Sequence, residues 1–541
     1  MIIDNSKASG SQIVGTDSAR ASLPGRAEVP DGDSRESDRK EQHFATDHLL
    51  TNLKGRVISS GFVTMAAQGA KFALNLAYTM VLARLLMPDD FGLIAMVMTV
   101  TSFLRVFKDA GLSTATVQRE GITHAQVSNL FWINLAVSAL ASLIMVSTAP
   151  LIAWFYREPR LVTVTMALSI TFLLSGSAVQ HQALLNRQMR FKVIALIEVA
   201  SMVAGCLAGV FMAFWGFGYW SLVGASLATE FAGLLLTWTA SRWRPQFPSR
   251  RSDTRRLLRF GANLTVGSFI YSLARGADGL LLGRYYGANS VGIYSRASVL
   301  LMRPLEQLLG PINAVFVPTL SRLQAQPERY RRAFLQVFEA IALISFPLTG
   351  LFLPLAHPLI LVVLGPGWEK AAVIFGGFTM VALYFPLANV STWLFASQGR
   401  GKHWVIALSM VSCVTVASFL AGLPFGPPGV AIIYSASCLL IQLPLLYYMA
   451  GRRGPVSTSD LWMGFLRHLP AWGVVCGATW LMRTLLAAYA PLTQLLICAP
   501  VGLLAGVAFV SIFAPARQAA MSLISILQEL KRDRQPTVVC T

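Results

Sequence analysis

The sequence predicts an all-α membrane protein of about 14 transmembrane helices, built as two pseudo-symmetric six-helix lobes plus two extra helices, with both termini cytoplasmic. Three observations predict it. Of 541 residues, 55% are hydrophobic and only 13% are charged, about half the roughly 25% charged residues of soluble proteins. The mean hydropathy is +0.58, and apolar runs of about 20 residues recur along the chain, each long enough to cross a hydrocarbon core of roughly 30 Å. Loops between alternate runs differ in charge. A soluble helical protein is excluded because almost no polar faces remain to meet water.

Residues 1–55 read as a disordered cytoplasmic tail, rich in Ser, Gly, Asp and Arg, without the basic start and apolar stretch of a secretory signal. Six spans follow as an N-lobe over 56–241: 57–83, 91–114, 128–155, 161–181, 193–214 and 217–241. A basic cytoplasmic linker over 242–259 precedes a C-lobe over 260–450 with spans at 260–282, 291–316, 333–364, 371–397, 403–423 and 429–450. Segment 451–514 carries two more, at 469–489 and 492–514. From 515 to 541 an amphipathic cytoplasmic tail places Met521, Leu523, Ile524, Leu527 and Leu530 on one side.

Loop charge supports this layout. Loops on the tail's side read HQALLNRQMRFK, SRLQAQPERYRR, SQGRGKH and GRRGPVSTSD, and the one from Ser241 to Arg259 holds seven arginines. The opposite loops, such as LLMPDD, YGANS and PFGPPG, carry few positive charges, with YREPR at 156–160 the exception. This is the asymmetry of the positive-inside rule. The net charge of +19 therefore belongs to the membrane portion and not to a nucleic-acid surface, because residues 1–50 hold nine acidic against six basic side chains. The six cysteines show no metal spacing and read as small buried hydrophobes.

A repeat is visible at an offset of 200: VLARLLMPDDFGLI (81–94) aligns with LLGRYYGANSVGIY (281–294), matching Leu82 with Leu282, Arg84 with Arg284 and Gly92 with Gly292. Copies six spans apart share one orientation, a parallel repeat about an axis along the membrane normal.

The ARLLMPDDFG motif after the first span, FLRVFKDAGLSTATV at the end of the second and GPINAVFVPTLSRL at 310–323 resemble the Wzx-type polysaccharide transporters, in the colanic-acid-exporter-like branch of the multidrug/oligosaccharidyl-lipid/polysaccharide exporter superfamily. The resemblance covers about residues 55–450. It implies a flippase that moves undecaprenyl-pyrophosphate-linked oligosaccharide repeat units across the bacterial inner membrane, for exopolysaccharide or lipopolysaccharide synthesis. It implies no enzyme chemistry and no cofactor. The partners expected are the lipid-linked oligosaccharide, membrane lipids, an H+ or Na+ counter-ion, and polysaccharide polymerase and export machinery, with no nucleic acid.

Ionisable side chains within apolar runs are the candidate functional residues, since a charge at membrane depth usually faces a bundle interior or a wet cavity. A pyrophosphate needs cations to replace its water, and arginine suits this because it stays charged and offers a fork of donors. The candidate pyrophosphate ligands are Arg105, Lys108, Arg275, Arg296 and Arg303. Asp109, Asp278, Glu306, Glu339, Glu198 and Glu230 are the candidates for coupling or charge pairing, and Lys71 stands alone in the first span. Structural readings stay open beside these. Arg105 and Asp109 are spaced to neutralise each other, as are Arg275 and Asp278. Arg84 and Arg284 suit interfacial anchors, and Trp215, Tyr219, Trp220 and Trp368 suit an aromatic belt.

Two other functions fit less well. A drug/cation antiporter of the same superfamily would prefer an acidic cavity, whereas the embedded charge here leans basic. A polysaccharide polymerase or ligase would be expected to carry a large outer loop, and every outer loop is short. No Walker-type glycine loop is present.

Overall fold

The computed structural model describes residues 53–109, 116–117, 122–247 and 255–512, except for the side chains of 53–62, 106–109, 255–272, 308, 311, 314 and 315. The acidic N-terminal tail, part of the 242–259 linker and the amphipathic C-terminal segment lie outside the described residues. The described chain is helical. Leu53–Leu85 (α1), Pro88–Asp109 (α2), His124–Tyr156 (α3), Leu161–Arg187 (α4), Phe191–Phe214 (α5) and Trp220–Ser241 (α6) occupy the first six expected positions. Arg255–Arg322 (α7) covers the next two, because the chain folds back at Gly287 (φ 75°, ψ −179°), a backbone conformation open essentially to glycine alone.

Beyond it come Pro327–Gly350 (α8) and Phe352–Val363 (α9), then Glu369–Gly377 (α10), Thr379–Ser397 (α11) and Gly401–Gly422 (α12). Gly426–Ser437 (α13) runs through a π-turn at Cys438–Gln442 into Leu443–Gly451 (α14), and Thr458–Leu485 (α15) and Pro491–Ile512 (α16) close the described chain. Among the described residues, eight helical segments are long and apolar enough to cross a membrane: α3, α4, α5, α6, α8, α11, the continuous Gly401–Gly451 stretch and α16. Where the sequence suggests a single ninth span at 333–364, α8 gives way to α9 at Leu351, just after Pro347 in the last turn of α8. Proline removes a backbone donor and breaks a helix.

The two copies of the repeat meet along α2 and the second half of α7. Phe91, Leu93, Met96 and Val97 bury against Leu282, Val291, Ala297 and Leu301 in a continuous core. The contact is reciprocal. A Cβ on Gly92 would stand 1.8 Å from the Ala288 carbonyl oxygen, and a Cβ on Gly292 would stand 1.8 Å from that of Pro88. Since 88 and 92 are the repeat partners of 288 and 292, the pairs exchange under a two-fold relation, as in an isologous interface. Small residues admit this backbone approach. Replacing Gly292 by alanine is therefore expected to destabilise the protein by at least the roughly 1–3 kcal/mol typical of overpacking, because the obstruction is backbone and cannot rotate away. Heat inactivation of detergent-solubilised protein, followed by size-exclusion chromatography, checks this. An unchanged midpoint would mean the seam is looser than its geometry.

The same end of the molecule is fastened further. Arg84 donates to the carbonyls of Val362 (2.8 Å) and Val363 (3.3 Å) at the C-terminus of α9, where orphan carbonyls and the helix dipole favour a cation. It is thus a cross-seam cap and not a headgroup anchor. Trp368 is no belt residue either: it is 2% exposed, donates from Nε1 to the Ala83 carbonyl (3.0 Å) and meets Phe91 edge-on. Belt residues keep one wet edge, and this ring has none. Trp215, 69% exposed, keeps the expected setting. We call this the outer end, as it lies opposite the basic loops.

α15 and α16 pack on α8 and α9. α15 starts in a capping box in which Ser457 and Asp460 exchange side chain–backbone hydrogen bonds. The Asp460 carboxylate also accepts two bonds from Arg331 of α8 (2.9 and 2.6 Å). Those guanidinium bonds hold its pKa down at about 2. Further along, Arg467 of α15 pairs with Glu339 of α8 at 2.5 Å. The two pairs have opposite polarity along parallel helices and lie about two turns apart, so a two-turn slip would bring Arg331 against Arg467 or Glu339 against Asp460. Register is fixed electrostatically.

Candidate functional site

Folding α7 back on itself brings distant charges together. Arg275 lies on its first half, and Arg303 and Glu306 on its second. Glu306 stands between the two guanidiniums, 3.6 Å from Arg275 and 3.8 Å from Arg303. Both distances exceed a good hydrogen bond, so the contacts are ionic and exchangeable. The arginines remain half exposed, at 50% and 58%. Beside them a cavity of about 180 Å³ is lined by Arg275, Asp278, Tyr384, Asn389, Tyr434 and Gln442, the last within the π-turn. One further face of α7 presents Arg296 and Arg303 to Asn75 and Thr79 of α1 across a small cavity of about 20 Å³. Arg296 crosses the seam, its guanidinium 5.0 Å from the centre of the Phe91 ring.

The first six helices hold a second charged set. Lys71 of α1 binds Glu198 of α5 at 2.6 Å, and Arg105 of α2 lies 3.9 Å from Glu230 of α6. Both carboxylates line a polar cavity of about 280 Å³ with Ser175, Gln182, Ser201 and Thr229. Chemically, both sets do one thing. They hold cations in place against internal carboxylates, and the contacts of Arg105, Arg275 and Arg303 with those carboxylates are longer than good hydrogen bonds.

The structure thus joins Arg275, Arg303 and Glu306, and separately Arg105 with Glu230 and Glu198 with Lys71. Lys71, alone in the sequence, has a partner because α1 packs on α5. Glu339 stands apart from both sets, at the α8–α15 contact. The side chains of Lys108 and Asp109 lie outside the described residues. The YREPR exception is partly resolved: Arg160 is neutralised by Glu158 (2.8 Å) and Asp89 (2.9 Å), and its hydrogen bonds hold the Glu158 carboxyl below the usual range.

Sequence reasoning missed the bridging place of Glu306, because the turn that brings Arg275 to it depends on one glycine. It missed Arg467 as well, although an arginine inside the apolar run GFLRHLPAW was a signal.

The chain resembles several known proteins. It is 28% identical over 334 residues to the teichuronic acid biosynthesis protein TuaB of Bacillus subtilis strain 168, covering 59% of this chain and 68% of that one. To the lipopolysaccharide biosynthesis protein WzxC of Escherichia coli strain K12 it is 24% identical over 427 residues, covering 77% of this chain and 87% of that one. Among solved structures, the lipid II flippase MurJ in an inward closed conformation superposes with a TM-score of 0.67 over 84% of this chain and 98% of its own, at 14% identity. The two chains therefore share one fold. The family described as polysaccharide biosynthesis protein matches residues 81–373, more than half of the chain, and the protein belongs to that family.

Proposed function

We propose that the protein is a flippase that carries undecaprenyl-pyrophosphate-linked oligosaccharide repeat units across the bacterial inner membrane, supplying polysaccharide synthesis. The observation that carries this is the pair of half-exposed arginines, Arg275 and Arg303, held apart by one exchangeable carboxylate in a chain otherwise built to bury apolar surface. A diphosphate cannot enter hydrocarbon without cations in place of its water. Two guanidiniums supply them, with Glu306 holding the positions until the substrate arrives. Family membership and the likeness to lipopolysaccharide and lipid II proteins point the same way.

In this reading the chain crosses fourteen times, with lobes of six spans on either side of the α2–α7 seam and α15–α16 appended to the second. The seam is shut at the outer end by Gly92, Gly292, Arg84 and Trp368, and the charged sets open toward the side of the basic loops. Arg105 and Lys71 serve the sugar-phosphate from the first lobe. Glu198, Glu230 and Glu306 are the groups through which an H+ or Na+ gradient couples, since each must find a new partner when its cation turns to the substrate.

Proteoliposomes test the proposal. Purified protein should move an undecaprenyl-diphosphate-linked oligosaccharide to the opposite leaflet, read as loss of lectin access from outside. Movement no faster than in protein-free vesicles overturns the reading, and efflux of a lipophilic cation in its place would make the protein an antiporter.

A further inference from the structure

The repeat leaves its two outer arginines in unequal circumstances. Arg84 is committed to the last carbonyls of α9. Its repeat partner Arg284 borders the end of α3, beside the closed α2–α7 seam. A cavity of about 860 Å³ separates the elements, lined by Arg284 and by Pro150, Trp154, Arg157, Glu158 and Val162. Arg157 ends α3 in the left-handed region (φ 58°), which costs a non-glycine residue some strain and turns the chain at that point.

Charge makes this cavity a binding site. The carboxylate lining it, Glu158, is occupied by Arg160, which chelates it at 2.8 and 3.0 Å and reaches across to Asp89 at 2.9 Å. Neither the Arg157 nor the Arg284 side chain has a hydrogen-bond or ion-pair partner among the described residues, although Arg284 is half-buried. Two guanidiniums therefore face one cavity without a counter-ion, at the end of the molecule where positive charge is otherwise sparse. Trp154, 75% exposed beside them, has the amphipathic ring that sits at a headgroup boundary.

We infer that this outer cavity binds the phosphate of a lipid headgroup in the leaflet opposite the basic loops. Arg157 and Arg284 pair with the phosphate oxygens, and Trp154 covers the root of the lipid chain. Phosphate on a lipid can come from two sources: a prenyl diphosphate newly arrived in that leaflet, or a resident anionic phospholipid. The inference does not depend on the role of Arg275 and Arg303, and it is tested by binding and not by transport.

The probes are undecaprenyl diphosphate and phosphatidylglycerol, each titrated into phosphatidylcholine nanodiscs holding the full chain, with bound lipid counted by native mass spectrometry. The Arg275→Ala, Arg303→Ala background removes the inner cluster from the count. In that background, Arg157→Gln with Arg284→Gln is expected to weaken at least one probe by about tenfold or more, the scale of losing charge-assisted hydrogen bonds to phosphate. Arg157→Lys with Arg284→Lys should stay within a few-fold of the parent, which shows that the variants fold and that charge is what binds. The weakened probe identifies the source. If neither probe is weakened by the glutamine pair, the cavity is not a phosphate site.

Discussion

Transport by an Arg275→Ala, Arg303→Ala double variant is expected to fall by about a hundredfold or more, while the protein stays inserted and abundant. Each charge-assisted bond from a guanidinium to phosphate contributes about 1.5–3 kcal/mol, and every 1.4 kcal/mol is about tenfold. Losing both forks removes the cations and also frees Glu306, whose carboxylate would then repel the incoming diphosphate. Stability should change little, since both arginines are half exposed and their ion pairs are longer than hydrogen bonds. Lysine at both positions should recover part of the activity, because it keeps the charge and loses the fork. Glu306→Gln should tighten diphosphate binding and slow release. Arg105→Ala should also reduce transport, through the first set of helices, where Arg105 lies 3.9 Å from Glu230. Measured in the proteoliposome assay, wild-type rates from the double variant would move the phosphate site away from α7.

The fold was legible because hydrocarbon imposes a coarse rule on sequence: twenty apolar residues, then a loop, with cations on one side. Offsets alone exposed the repeat, and the reciprocal contacts of Gly92 and Gly292 show why those glycines stand where they do. The identities of the embedded charges were legible for the same reason, since hydrocarbon makes every one of them conspicuous. Their partners were not. Which carboxylate meets which arginine depends on helix rotation and on the turn at Gly287, and apolar spans leave rotation almost unwritten in the sequence. Trp368 and Arg84 illustrate the limit: both sit at span ends where belt and anchor residues belong, yet each turns inward to a backbone carbonyl across the seam. A carbonyl partner has no side-chain signature to read.

The second large effect concerns Glu339, a lone carboxylate in an apolar run that suits a structural contact with a neighbouring helix first and a coupling group second. Its contact with Arg467 favours the pair. Removing one member of a buried pair leaves an uncompensated charge and costs about 3–5 kcal/mol, whereas replacing both by apolar or neutral groups is often near neutral. The side chains here are 34% and 24% exposed, so solvent screening brings the cost to the lower end of that range or a little below it. Arg467→Met is expected to lower the heat-inactivation midpoint sharply, by the equivalent of about 2–4 kcal/mol, with α15 and α16 loosening from α8 and α9. Adding Glu339→Gln to Arg467→Met should restore most of the loss, giving a coupling energy that a double-mutant cycle reads directly. The Arg331–Asp460 pair holds the register at the helix start in every one of these variants, so the comparison isolates the inner contact. Transport then separates the two roles. A double variant that is stable and active leaves Glu339 as a packing residue, and one that is stable yet inactive would return it to the coupling pathway, with α15 taking part in transport.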